Sequence, residues 1–367
     1  MRPVPLSNPP NPWETNVVDY LGEAPLAPLR IFEDKSQSIL SKNDSPDLGF
    51  TWSVNPYRGC MHACAYCYAR PTHEYLGFGS GTDFDRSIVV KPRAAELLRD
   101  AFEKPSWKGE LIVFSGNTDC YQPLEASYGL TRACLEACAE YGNPAYVITK
   151  APLVERDLDL LVRLSRAASL GVTISIPFWN EAHARAIEPY VATPARRMKT
   201  VKRLADAGIS VSVNVAPICP GLNEEDMPAI LEHAKAAGAV SASITIVRLP
   251  GSVKAVFEER IRSAFPLRAE RILARTREVR GGKLNDPRFG HRQTGEGVYA
   301  DTIAALFQRT ADRLGLSARR TGEDEPCTTG TFHRPRGPDA PTARKSPKQL
   351  TLFGAEDLAP PPLRSKG

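Results

Sequence analysis

Three cysteines, Cys60, Cys64 and Cys67, stand in the stretch "RGCMHACAYCYAR" (58–70), spaced three-then-two with no fourth cysteine nearby. Three thiolates on one short loop can hold three irons of a cubane 4Fe–4S cluster and leave the fourth iron without a protein ligand. A four-cysteine electron-transfer cluster has no such vacancy. An open iron can take an exogenous ligand, and that separates catalysis from electron transfer. Structural zinc is the competing arrangement. It needs a fourth ligand, for which His62 and His73 are the candidates, and ordinarily pairs Cys-x2-Cys with a distant second pair. Cys134 and Cys138 lie four apart on one helical face, a spacing that marks a core stripe, and Cys219 and Cys327 have no partner by spacing.

The elements that must position this loop are legible as a rhythm. Short β-branched runs, "TWSVN" (51–55), "ELIVFS" (110–115), "AYVIT" (145–149), "GVTISI" (171–176), "ISVSVNV" (209–215) and "ASITIV" (242–247), alternate with stretches of helical period. Two of those helical stretches end in Gly208 and Gly238, residues suited to a left-handed cap. Such alternation predicts an α/β fold with a parallel sheet, a partial (β/α)6 TIM-type barrel. The run "RSIVVKP" (86–92) interrupts the first crossover. The expected organisation is a largely irregular N-terminal extension (1–48), the barrel (49–265), a C-terminal helical extension (266–320) and a disordered proline-rich tail (321–367). The cysteines follow the first strand, at the sheet edge where chemistry sits in such folds.

Composition bounds the function. Of 367 residues, 42% are hydrophobic and 24% charged, enough apolar material for a sizeable core. The net charge of +5 tolerates a nucleic-acid partner without demanding one. No apolar run reaches the length of a membrane span, and the N-terminal residues do not form a signal peptide, so a cytoplasmic location is expected. Eight cysteines in a reducing compartment read as metal ligands or core residues rather than disulfides.

"CMHACAYC" reads Cys-x3-Cys-x2-Cys with an aromatic before the last cysteine and resembles the signature of the radical S-adenosylmethionine superfamily. The resemblance implies a 4Fe–4S cluster on Cys60, Cys64 and Cys67 whose open iron chelates S-adenosylmethionine, with Tyr66 packed near the adenine. It further implies reductive cleavage to a 5′-deoxyadenosyl radical, with electrons from a flavodoxin- or ferredoxin-type reductant. Over about residues 50–315 the chain is most similar to the spore photolyase-like, or DNA repair photolyase-like, branch, through "NPYRGCMHACAYCYAR", "SGNTDCYQPLE" (115–125), "VITKAPLVERDLDLL" (147–161) and "ISVSVNVAPICPGLNEEDM" (209–227). That branch implies cofactor contacts from Thr118, Asp119, Lys150 and Ser175. Asp119 would accept from the ribose or the amine, Lys150 would neutralise the methionine carboxylate, and Ser175 would bond a ribose hydroxyl. One departure matters. Spore photolyases carry a hydrogen-donating cysteine just ahead of the Thr/Ser-Asp pair, whereas here the segment is Ser115-Gly116-Asn117-Thr118-Asp119 and a cysteine follows only at Cys120, the candidate relocated donor.

Two further features bear on partners. The basic segment 268–297 reads as a solvated helix face followed by a glycine-rich loop, from which Arg292 could reach a phosphate. In the tail, "QLTLF" (349–353) resembles the short peptide by which bacterial repair and replication proteins dock on the DNA sliding clamp. Leu350, Leu352 and Phe353 would fill a groove and Gln349 would make polar contacts. The expected function is therefore a radical enzyme acting on nucleic acid. The alternatives are a radical enzyme acting on a peptide or small molecule, and a non-catalytic metal-bearing adaptor docked on the clamp.

Overall fold

The computed structural model describes residues 28–320 and 329–335. Its strands, in chain order, are β1 (Arg30–Glu33), β2 (Leu40–Lys42), β3 (Trp52–Val54), β4 (Tyr57–Arg58), β5 (Ser87–Val90), β6 (Ile112–Phe114), β7 (Ala145–Thr149), β8 (Leu170–Ser175), β9 (Ser210–Ile218), β10 (Ser241–Ile246) and β11 (Ser317–Arg320). The large sheet runs β11-β10-β9-β8-β7-β6-β3-β2. Every neighbouring pair from β3 to β11 is parallel, and β2 joins the β3 edge antiparallel. The six runs read from the sequence are β3, β6, β7, β8, β9 and β10, so the partial β/α barrel is as expected.

The strands are in register near their starts: Trp52 lies opposite Ile112, Ile112 opposite Ala145, and Ala145 opposite Leu170. All six residues of β8 are buried, as a parallel strand covered on both faces requires. The covering helices are amphipathic. Pro194–Asp206, for example, buries Met198, Val201 and Leu204 at intervals of three, and Thr193 caps it by accepting from the Arg196 amide. After the barrel come the helices Val253–Ala264, Ala269–Glu278 and Val298–Leu314.

Three details depart from the sequence expectation. Residues 28–48 contain two strands, and β5, the run thought to interrupt the first crossover, pairs with β1 and β4 in a separate three-stranded sheet. Part of the expected disordered tail is ordered. Phe332 packs 5.9 Å from Phe102 and 6.4 Å from Tyr141, ring centre to ring centre. The backbone makes room for it at Gly109, where an added Cβ would stand 2.3 Å from the Phe332 Cβ. No helix among the described residues is long and apolar enough to cross a membrane. The peptide 349–353 lies outside the described residues.

Candidate active site

The cysteine loop leaves β4 at Gly59, whose φ of +79° suits glycine; a Cβ there would sit 2.8 Å from the Phe84 carbonyl oxygen. Four separate parts of the chain then pin its backbone. The Phe84 carbonyl accepts from the Cys60 amide at 3.0 Å, and the Ile187 carbonyl from the Ala65 amide at 3.0 Å. Gln122 bridges the loop with both ends of its amide, donating to the Gly59 carbonyl at 3.0 Å and accepting from the Met61 amide at 3.0 Å. Arg70, fully buried, donates to the carbonyls of Cys64 (3.0 Å), Ser80 (2.8 Å) and Gly81 (2.8 Å) and pairs with Asp85 at 3.0 Å. Among the described residues, Ala63 (φ 56°) and Ser115 (φ 72°) are the non-glycine residues with positive φ. Both belong to site loops, and such conformations cost about 1–3 kcal/mol each.

The loop faces a cavity of about 290 Å³ at the C-terminal ends of the strands. Its lining includes Cys60, Cys64, Cys67, Tyr66, Thr118, Asp119, Lys150 and Ser175, so the residues expected from four separate stretches meet at one place. Burial pushes the Cys60 and Cys64 thiols up, aided by the nearby Asp119 and Glu188 carboxylates respectively. Iron binding must therefore displace protons. His73 turns its Nε2 to the Ser87 carbonyl at 2.7 Å and His62 lies 3.4 Å from Asp119, so each expected zinc candidate is engaged elsewhere. Among the described residues, no three His, Cys, Asp or Glu side chains are grouped to hold one ion. A single zinc needs all its ligand atoms within about 2.3 Å of one point; a cubane takes each thiolate at its own iron. The donor set of two buried thiols and one half-buried thiol, Cys67, on a pinned loop fits the cubane.

The polar residues divide into scaffold and lining. The Thr118 hydroxyl donates to the Tyr57 carbonyl at 2.6 Å. Asp119 accepts from the Thr149 hydroxyl (2.7 Å) and from the amides of Lys150 (2.8 Å) and Tyr121 (2.9 Å). Burial alone would raise the Asp119 pKa, but His62 and these donors outweigh it and hold the carboxyl below its ordinary range. Lys150 Nζ stands 3.9 Å from Glu188 Oε1 and 5.9 Å from the centre of the Tyr66 ring. Glu188 also accepts from the Tyr66 hydroxyl and pairs with Arg197 at 2.6 Å, and Arg197 donates to the Ser175 carbonyl at 2.8 Å. This Tyr66–Glu188–Arg197–Lys150 network is not legible in the sequence, because its members come from three distant segments and no motif covers Glu188 or Arg197.

Two expected residues are placed differently. Cys120 does not line the cavity: its side chain is buried in the main core, and its amide donates to the Ser115 hydroxyl at 2.8 Å. Arg292 engages Asp47 and Ser45, and its guanidinium carbon lies 4.4 Å from the centre of the Phe289 ring. Cys134, Cys138 and Cys219 are buried.

Residues 54–234 match the family model of the radical SAM superfamily. The chain belongs to the radical SAM superfamily. Its cofactors are a 4Fe–4S cluster and S-adenosylmethionine, and as a radical SAM enzyme it needs a reductant; the non-catalytic adaptor is thereby set aside. An uncharacterized protein of Mycobacterium tuberculosis is 37% identical over 309 residues, spanning 83% of this chain and 83% of the relative. Another, of Methanocaldococcus jannaschii, is 30% identical over 194 residues, spanning 53% of this chain and 70% of the relative. Among solved structures, a spore photoproduct lyase mutant with bound AdoMet and dinucleoside spore photoproduct superposes with a TM-score of 0.57 at 17% identity, covering 83% of this chain and 87% of that one. A second spore photoproduct lyase complex gives a TM-score of 0.56 at 16% identity over 79% and 81% of the two chains. At these identities the likeness is one of fold.

Proposed function

We propose that this radical SAM enzyme acts on nucleic acid, with a damaged or modified base as the reacting group. The observation that carries the reading is the cavity beside the three cysteines, in a barrel that shares its fold over 83% of the chain with a lyase solved around a dinucleoside photoproduct. When bound, the two cofactors supply one-electron cleavage of a sulfonium and hydrogen-atom abstraction. In this reading Cys60, Cys64 and Cys67 hold the cluster. Lys150 and Ser175 line the cavity where the cofactor's carboxylate and ribose would lie, and Tyr66 presents an aromatic face held by Glu188. Thr118 and Asp119 also line the cavity, and their donors and acceptors tie the 115–121 turn to β4 and β7, which keeps the lining in place. Arg292, occupied by Asp47, braces the 43–51 segment against the glycine-rich loop.

The test is anaerobic reconstitution with iron and sulfide. About four irons per chain are expected, with reductant-dependent conversion of S-adenosylmethionine to 5′-deoxyadenosine. Deuterium should then pass into 5′-deoxyadenosine from deuterated, photodamaged DNA. Cofactor cleavage with deuterium arriving from peptides or small metabolites, and from no nucleic acid, would transfer the assignment to those substrates.

The tail carries a separate partner proposal, that Gln349, Leu350, Leu352 and Phe353 dock on the bacterial sliding clamp. Deleting 349–353 should abolish clamp binding in surface plasmon resonance while iron content stays at four per chain, about the intact value. Retained binding would overturn the docking.

A further inference from the structure

Three charged side chains line the cavity besides the cysteines and His62, and two of them are spoken for. Asp119 is surrounded by His62 and hydrogen-bond donors, and Lys150 faces Glu188. The third is Arg248. Its Nε is buried without a hydrogen-bond partner, and among the described residues it forms no ion pair. The carboxylate closest to hand, Asp47, is taken by Arg292. Buried polar groups in native proteins are nearly always satisfied, and one that is not calls for a reason.

The backbone around Arg248 is held with unusual care. Arg280, itself buried, donates to the carbonyls of Ile246 (2.9 Å) and Val247 (2.7 Å), immediately before it. The Val247 amide donates to the Ile218 carbonyl at 2.8 Å. On the other side, the Leu249 amide donates to Asn285 Oδ1 at 3.2 Å. The guanidinium carbon rests 5.9 Å from the centre of the Tyr68 ring, and the Tyr68 hydroxyl donates to the Gly116 carbonyl at 2.9 Å. A guanidinium on a fixed stem, steadied by an aromatic face and, among the described residues, without an ion pair of its own, is a preorganised fork for an oxyanion. Burial and the neighbouring Arg292 cation both hold its pKa below the ordinary value, as for a cation that an arriving anion would relieve.

We propose that Arg248 is the substrate's anchor, a docking point for a phosphate group that is separate from the Lys150 side of the cavity, where the cofactor carboxylate would bind. The choice of phosphate rests on the nucleic-acid reading above; the oxyanion site itself does not. Anchoring the substrate through a group remote from the reacting base would fix which hydrogen faces the cofactor, and a misplacement of about 1 Å at such a contact is costly.

The experiment is arginine modification by phenylglyoxal on the full, reconstituted protein, read by peptide mass spectrometry. Four protecting ligands are compared: inorganic phosphate, thymidine monophosphate, a single-stranded oligothymidylate and S-adenosylmethionine. Arg248 should react, and phosphate should slow the reaction severalfold. Protection by the oligonucleotide as well supports both readings. Protection by phosphate or the mononucleotide without the oligonucleotide keeps the anchor and removes the polynucleotide. Protection by S-adenosylmethionine alone, or by none of the four, overturns the proposal. In a second measurement, Arg248→Gln should weaken oligonucleotide binding about tenfold to a hundredfold and lower the salt slope by about one. Arg248→Lys should fall between, and cofactor affinity should be unmoved. A loss of cofactor affinity with unchanged oligonucleotide affinity would again overturn it.

Discussion

Replacing Cys60, Cys64 or Cys67 singly by alanine is expected to lower bound iron to the background level after reconstitution and to eliminate 5′-deoxyadenosine formation, while the protein stays folded. The two halves of that result have different causes. A cubane held by three thiolates cannot lose one and keep an ordered site, because the other cysteines of the described residues, Cys120, Cys134, Cys138 and Cys219, lie outside the lining of the cavity. The fold survives because the loop does not depend on the metal for its shape. Its backbone is tied to Phe84, Ile187, Gln122 and Arg70 by hydrogen bonds that involve no thiol. Removing one buried sulfur from such a loop should cost about 1–2 kcal/mol, read as a shift in the urea midpoint. The controls sharpen the test. Cys134→Ala and Cys120→Ala remove buried sulfurs from the main core and should keep full iron. Iron retained in a Cys64→Ala variant would mean that a ligand outside this loop completes the cluster.

Much of this site could be read along the chain because its motif is local. The cysteine spacing needs only one loop, and the six core strands lie in apolar, β-rich runs bounded by helical stretches. Gly208 and Gly238 have the positive φ expected of residues that follow helix ends. What could not be read was set by partners distant in sequence. β1 and β2 are mostly exposed, so they carry no apolar run; they exist because β5 and β3 offer edges to pair with. Gln122 is an ordinary glutamine until the fold brings it to the far side of the cysteine loop. Cys120 illustrates the opposite error. Adjacent in sequence to Asp119, it packs in the core while Asp119 lines the cavity. Arg292 stands in a cluster of positive charge, but charge density along the chain does not reveal which cation has a carboxylate waiting for it. Among the described residues Arg248 forms no ion pair, its nearby carboxylate Asp47 being held by Arg292, and no local pattern encodes that.

Glu188 and Arg197 make the second large effect. Their side chains are 0% and 1% exposed and their charged atoms lie 2.6 Å apart. Taking two charges out of water is costly, and their attraction offsets that cost only while both are present. Glu188→Leu would leave a buried guanidinium without its counter-charge and should lose about 3–5 kcal/mol in denaturant unfolding; Arg197→Met would leave a buried carboxylate facing only Lys150, 3.9 Å away, and should lose less. The double variant removes both charges and should recover part of the loss. Recovery should stop about 1–3 kcal/mol short of the parent, because Arg197 also satisfies the Ser175 carbonyl and Glu188 the Tyr66 hydroxyl, and apolar replacements serve neither. Cofactor binding separates the two functions of the network. Arg197→Met keeps the Glu188 contacts to Tyr66 and Lys150, whereas Glu188→Leu frees both from the wall of the cavity. At equal residual stability, Glu188→Leu should therefore weaken S-adenosylmethionine binding more. Single variants within about 1 kcal/mol of the parent would mean that water reaches the pair, and equal cofactor affinity in both would make it a structural bridge with no hold on the site.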